Sequence, residues 1–271
     1  MPELPEVETT RRGIAPALVG RRVIDVVVRD RRLRWPIAQH FESAITHRTV
    51  RRVERRAKYI LIAFDTGTLI LHLGMSGSLR VLDAAVPPKP HDHWDIALDS
   101  GKVLRYHDPR RFGSAHWTDT NPLEHPLLAR LAPEPLSDAF DVTYLFGATR
   151  KRSVAIKQLI MNSQLVVGVG NIYASEALFR AGISPRRAAR RITRSQAQAL
   201  AQAIKAVLSE AIEIGGTTLR DYVNADGLPG YFRQKLFVYE REGQPCRVCK
   251  TPVRQFVQGQ RATYWCSSCQ H

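Results

Sequence analysis

The sequence predicts an α+β protein of several domains: an N-terminal β-sandwich with flanking helices, a helical domain of the form helix–two turns–helix, and a C-terminal ribbon hairpin held by a metal. Three observations predict it. From Arg22 to about Asp119 the chain runs in short β-branched and apolar stretches broken by Gly and Asp turns. Beyond Pro133 the apolar spacing becomes helical. The C-terminus carries Cys246-x2-Cys249-x16-Cys266-x2-Cys269. The domains expected are residues 1–132, 133–225 and 236–271 in a chain of 271, which is long enough for such cores.

The first helix follows Met1-Pro2-Glu3-Leu4-Pro5-Glu6-Val7-Glu8. Pro5 and the Glu run suit a first helical turn, and Val7, Arg11, Ile14 and Leu18 keep helical spacing until Gly20. Initiator Met is commonly removed before a small residue, which would leave Pro2 with a free secondary amine. An α-amino group titrates near ~8 and a Lys near ~10.4, so at neutral pH the terminal amine is far more often the neutral nucleophile. Its adduct with an aldehyde carbon is a cationic, electron-withdrawing iminium. Glu3 stands beside it as a candidate acid. Taken alone, the same stretch also reads as ordinary capping.

Strands are expected at 22–29, 59–64, 68–73, 78–82, 94–98 and 102–107, with Asp65-Thr66-Gly67 as a hairpin turn. The basic run 51–58 reads as a solvated face, except that Lys58 opens an apolar strand where a fixed amine could meet a phosphate. Met75 lies between Gly74 and Gly77 at a strand end and is expected to be exposed. His91, Asp92, His93 and Asp95 fit no standard metal spacing and read as a structural loop. Asp108-Pro109-Arg110-Arg111-Phe112-Gly113 combines a turn, two guanidinium groups and an exposed aromatic, as a wedge into a base stack requires. Helices are expected around Val154, Ile156, Leu159 and Ile160, from Asn171 to Arg180, and from Ser195 to Ile214. Gly168-Val169-Gly170-Asn171 presents backbone N–H groups at a helix start, an anion site. Residues 217–232 are too rich in turn formers for a helix.

Lys and Arg number 40 against 25 Asp and Glu, a net charge of +15, which suits a polyanionic partner, nucleic acid first. No apolar run reaches membrane-spanning length, and the acidic N-terminus lacks a signal-peptide core, so a cytosolic protein is expected. Four cysteines in that compartment argue for metal, and their spacing is that of one structural Zn2+. Four thiolates leave the ion no open position for chemistry, and the hairpin around Gly259 would present Arg261 to a phosphate.

MPELPEVET, GMSG, DPRRFG, GVGNIYASEALFRAGISP and the cysteine pattern together resemble the bacterial formamidopyrimidine-DNA glycosylases, over both termini and the middle of the chain. The resemblance implies excision of oxidised purines from double-stranded DNA, then strand cleavage by β,δ-elimination. It implies a catalytic set of Pro2, Glu3, Lys58 and Arg261, with Lys58, Asn171 and Arg261 pinching the backbone. Met75, Arg110 and Phe112 would fill the gap left by the flipped nucleotide. His91, Lys157 and Tyr231 would also bind DNA, Glu6 and Glu176 would support, and the stretch 217–232 would fold over the extruded base. A monomer is expected. Three departures, Lys250 and Glu240 where Gly is common and Asn162 where Asp is common, put local turns in question. Two other readings fit part of the pattern: a glycosylase of the endonuclease VIII type for oxidised pyrimidines, and a zinc-ribbon nucleic-acid binder without chemistry.

Overall fold

A computed structural model describes residues 2–215 and 235–271. The chain forms two compact units, the first holding residues up to Ala129 and the second holding Arg130–Glu213 and the C-terminal residues.

The first unit is the expected sandwich. Helix α1 (Leu4–Leu18) precedes β1 (Val23–Val28), the short α2 (Phe41–Ile45) and seven further strands. These are β2 (Val50–Arg56), β3 (Tyr59–Phe64), β4 (Thr68–His72), β5 (Ser78–Asp83), β6 (Asp92–Leu98), β7 (Lys102–His107) and β8 (Ser114–Thr118). They make two four-stranded sheets, ordered β1-β6-β7-β5 and β2-β3-β4-β8. Every pairing in both sheets is antiparallel. One apolar core joins them: Val26, Trp94 and Leu104 from the first sheet meet Ile60, Ile62 and Leu71 from the second, and α1 adds Val7, Ile14 and Leu18. Burial of that surface drives the assembly.

The register decides where function can sit. In one sheet Arg56 pairs with Tyr59, Tyr59 with His72, and His72 with Ser114. In the other, His107 pairs with both Ser78 and Asp92. The turn at Lys58, the loop 73–77 and the loop 108–113 therefore leave from aligned strand ends, and His91 directly precedes the strand end at Asp92.

The second unit holds α3 (Val142–Thr149), α4 (Ile156–Ile160), α5 (Asn171–Arg180), α6 (Arg194–Glu213) and the hairpin β9 (Arg254–Gln258)–β10 (Arg261–Trp265). Helix α4 begins two residues later than the spacing suggested. Val154 is exposed, and its carbonyl accepts the Ala189 N–H at 2.9 Å in an extended pairing. Gly170 is the N-cap of α5, and Gly182, at φ 67°, follows its end.

Candidate active site and DNA-binding residues

Pro2 and Glu3 are both buried immediately before the first turn of α1. Glu3 is the N-cap, and the Glu6 carboxylate accepts its backbone N–H at 2.9 Å. Glu6 is itself fully buried, so it fixes the direction in which the chain enters the helix. The positive end of α1 lies beside Pro2 and disfavours a second positive charge there.

Lys58 occupies the two-residue turn between β2 and β3, where Ala57 takes a left-handed φ of 53°. Its ammonium lies close enough to His72 to act on that ring. Removal from solvent, and then the charges of Lys58 and Arg34, push the His72 imidazole down to about 4. A neutral ring fits its hydrogen bond, because Nδ1 accepts the Gly74 N–H at 3.0 Å. His72 packs against Tyr59 with ring centroids 4.9 Å apart.

The two loops that carry Met75 and Arg110–Phe112 are tied together by Asp108. This fully buried carboxylate accepts the Ser76 hydroxyl at 2.7 Å, the Tyr106 hydroxyl at 3.1 Å and the Gly113 N–H at 2.8 Å. Burial and the Asp108 charge raise the Tyr106 phenol, so it remains the donor. Ser76 Oγ in turn accepts the Arg110 N–H at 3.3 Å. The loops touch so closely that a Cβ on Gly74 would stand 2.3 Å from the Phe112 carbonyl carbon. Phe112 is 43% exposed with the Arg110 guanidinium 5.0 Å from its ring centre, and Met75 is half-buried rather than exposed. Exposed His91 is held at φ 71°, its ring edge-on to His107. Its neighbours serve the sandwich. Asp95 binds Arg105 and Arg29, Asp92 binds His107, and His93 Nε2 bonds the Asp108 carbonyl.

In the second unit Lys157 is 1% exposed, so its ammonium is turned inward rather than towards a phosphate. It donates to Asn171 Oδ1 at 2.6 Å, Thr263 Oγ1 at 2.7 Å and the Ala262 carbonyl at 3.3 Å. The Asn171 amide also donates to Ala262 O at 2.9 Å. Asn171 at the start of α5 is thereby fixed against the strand that begins with exposed Arg261. A two-residue turn with Gly259 and Gln260 both left-handed, φ 55° and 61°, aims that strand. Glu176, fully buried on α5, accepts the backbone N–H groups of Phe237, Val238 and Tyr239 at 2.8–3.0 Å. Burial raises its carboxyl, and those three N–H groups pull against the rise. Tyr231 and the expected base-covering stretch 217–232 lie outside the described residues.

The four cysteine sulfurs all lie within 4.8 Å of one another. Separations of 4.0 Å for Cys246–Cys269 and 3.4 Å for Cys249–Cys266 bracket the roughly 3.8 Å edge of a tetrahedron with Zn–S bonds of about 2.3 Å. The donor set fits one Zn2+, and full thiolate ligation leaves it a structural role. Asp108 and His72 carry no local signal of their roles: Asp108 opens the DPRRFG motif and His72 lies in the expected strand 68–73, and neither the first's burial nor the second's contact with Gly74 is written in the adjacent sequence.

Comparison with known proteins agrees with this geometry. Residues 1–115 match the formamidopyrimidine-DNA glycosylase N-terminal domain, 131–223 its H2TH domain, and 243–271 the zinc finger found in FPG and IleRS. A formamidopyrimidine-DNA glycosylase of Thioalkalivibrio sulfidiphilus is 61% identical over the whole of both chains, and one of Pseudomonas entomophila is 59% identical over the same extent. The crystal structure of MutM (Fpg) from Thermus thermophilus superposes with a TM-score of 0.88 at 42% identity, covering 99% of this chain and 98% of that one. A Lactococcus lactis FPG mutant in complex with Fapy-dG-containing DNA superposes with a TM-score of 0.93 at 30% identity, each chain covered completely. The fold and site define a zinc-finger DNA glycosylase of base excision repair. The chain belongs to the formamidopyrimidine-DNA glycosylase family.

Proposed function

We propose that this enzyme removes oxidised purines, 8-oxoguanine and formamidopyrimidines, from duplex DNA through the nitrogen of Pro2. The observation that carries the reading is the buried Pro2-Glu3 pair at the positive end of α1, in a chain of this family. Loss of Met1 frees the amine. The Pro2 nitrogen attacks C1′ of the damaged nucleotide, the bond from C1′ to the base breaks, and Glu3 protonates the sugar ring oxygen so that the ring opens. The amine proton is lost and an iminium forms. Its electron withdrawal acidifies the adjacent carbon, so the 3′ and then the 5′ phosphate leave by β and δ elimination. Lys58, Asn171 and Arg261 hold phosphates around the lesion. Met75, Arg110 and Phe112 fill the vacated stack. The second-unit network supports this assignment by fixing Asn171 against the strand of Arg261. The reaction takes place on chromosomal DNA in the bacterial cytoplasm.

Borohydride tests the nucleophile. It reduces the iminium to a stable amine, and the cross-linked peptide should begin at Pro2 with Met1 absent. Glu3→Gln should keep duplex binding and lose excision. A cross-link at Lys58, or normal excision by a protein with an extension on Pro2, would overturn the mechanism.

A further inference from the structure

The wedge motif Asp108–Gly113 carries two guanidinium groups, and the proposed chemistry uses one of them, Arg110. Arg110 and Phe112 are exposed, whereas Arg111 between them is half-buried at a left-handed φ of 58°. An L-residue is strained in that conformation, so contacts must hold it there. One is the Arg111 N–H, which donates to Asp108 O at 3.3 Å and closes the turn. The other is Asp30, whose carboxylate lies 3.0 Å from the Arg111 guanidinium.

Asp30 is itself firmly placed. It lies just after β1 in Arg29-Asp30-Arg31-Arg32-Leu33-Arg34, the one acid among four arginines. Arg29 and Arg31 are drawn off by other carboxylates, Asp95 and Glu42. Arg32 grips Asp30 instead, through Nε at 2.9 Å, Nη2 at 3.0 Å and its backbone N–H at 2.9 Å. Those bonds, and then the Arg111 charge, hold the Asp30 carboxyl well below its ordinary range, so it stays ionised. The root of this loop is fixed to β6: His93 O accepts the N–H groups of Arg29 at 2.8 Å and Asp30 at 3.3 Å. The His93 ring then donates through Nε2 to Asp108 O at 2.8 Å. Farther along, the Arg34 N–H donates to Gly113 O at 3.1 Å. The loop after β1 is thus fastened to the wedge loop at its start through His93, at its middle through Asp30 and at its end through Arg34.

We infer that Asp30 is a positioning residue for the wedge: by fixing Arg111 it sets the left-handed turn that presents Arg110 and Phe112, on the reading that those two fill the vacated stack. Asp108 and Gly113, the ends of the loop, are tied by the Asp108 carboxylate, which binds Ser76 and the Gly113 N–H. Among the described residues Asp30 is the carboxylate that Arg111 meets. Without that pair the turn can relax to a right-handed φ, which redirects the side chains on either side of it. The pair is too exposed to contribute much stability, with side chains 39% and 21% accessible. Its use lies in orientation, because a side chain that enters a base stack must be aimed before it arrives.

The test compares Asp30→Asn with Asp30→Glu, each checked for unchanged melting. The substrate is a duplex with 8-oxoguanine opposite cytosine and 2-aminopurine beside that cytosine. Insertion of a wedge unstacks the 2-aminopurine and raises its fluorescence. At saturating enzyme Asp30→Asn should lower single-turnover excision about tenfold, and the fluorescence amplitude with it, while affinity for undamaged duplex does not fall. Asp30→Glu keeps the charge and should recover most of both. Glycine takes the left-handed turn without strain, so in an Arg111→Gly background the further change Asp30→Asn should alter either readout by less than about twofold. Parental excision and fluorescence in Asp30→Asn would overturn the inference. So would an equal loss with and without Arg111→Gly, no recovery in Asp30→Glu, or an excision loss that leaves the amplitude intact. Phe112→Ala in the same assay tests the wedge reading separately. A retained signal there sinks that reading, whereas a lost signal there with a normal one in Asp30→Asn sinks only the role of Asp30.

Discussion

Asp108 shows how one carboxylate can organise a site that it does not enter. Its oxygens gather Ser76, Tyr106 and Gly113, and so bring the Met75 loop and the Arg110–Phe112 loop to fixed positions. Asp108→Asn replaces one acceptor with an NH2 that must face a donor, and should cost about 2 kcal/mol of stability. If the two loops form the wedge, excision by this variant should fall much more than its affinity for undamaged duplex, and Ser76→Ala should repeat the pattern more mildly. Equal losses in both measurements would leave Asp108 with a purely structural role. His72 carries a pH prediction. Its folded value of about 4 lies below the ordinary 6.5, so the unfolded chain binds more protons between those values. Stability is therefore full above pH 6.5 and is lost as pH falls towards 4, by on the order of 3 kcal/mol. His72→Gln should flatten that acid limb in denaturant titrations. An unchanged limb would show that other groups govern it.

Elements were legible in the sequence where a local signal agreed with the tertiary structure. Helix α5 has glycine on both sides and emerged at its expected bounds, Asn171–Arg180. The apolar hairpin β3–β4 emerged with a left-handed Gly67 in its turn. Strand β2 did not, because it is an edge strand with a register shift between Val50 and Arg52. The bulge breaks the period-2 alternation, so Arg51, Arg52 and Glu54 read as a solvated charge run. Helix α3 was silent because Val, Thr, Tyr, Phe and Gly are weak helix formers, and the Asp141 cap was the one cue. The candidate site residues sit on motifs read from short local stretches, but the inward turn of Lys157 depends on acceptors more than a hundred residues away in sequence, Ala262 and Thr263. The three departures resolve at this scale too. Asn162 Oδ1 accepts the Gln164 N–H at 2.9 Å, a bond an Asp would also make. Lys250 and Glu240 instead hold left-handed turns at φ 66° and 55° that glycine adopts without strain. Lys250→Gly and Glu240→Gly should each raise stability by up to about 1 kcal/mol. Paired thermal melts of the zinc-loaded protein check this, and a loss in both variants would mean that side-chain contacts outweigh the backbone strain.

At the scale of the whole molecule, the finger is tied to the residues proposed to hold DNA. Cys246 and Cys266 are themselves members of a small core with Phe179, Val238 and Val253. Gln270 fastens the finger to the end of α5, donating to Ile183 O and accepting the Cys266 N–H, each at 2.9 Å. Strand β10, which supplies Ala262 and Thr263 to Lys157, runs directly into that core at Cys266. Zinc removal leaves four thiols where four thiolates were bound, so the finger loses the binding energy that folds it. The Lys157 ammonium then stays buried without two of its acceptors, a state that is strongly disfavoured. The sandwich has its own core, and among the described residues its two sheets are built from β1 to β8. Chelation, or Cys249→Ser, should therefore weaken duplex binding at least tenfold, about 1.4 kcal/mol, while the sandwich still melts cooperatively. Tryptophan reports both parts. Trp265 ends β10, whereas Trp94 is fully buried between the sheets. In two variants that each keep only one of the four tryptophans, Trp265 emission should shift on chelation at a temperature where Trp94 emission does not. Metal-free protein that kept its duplex affinity would show that Asn171 and Arg261 hold their places without the finger, and the dependence argued here would be wrong.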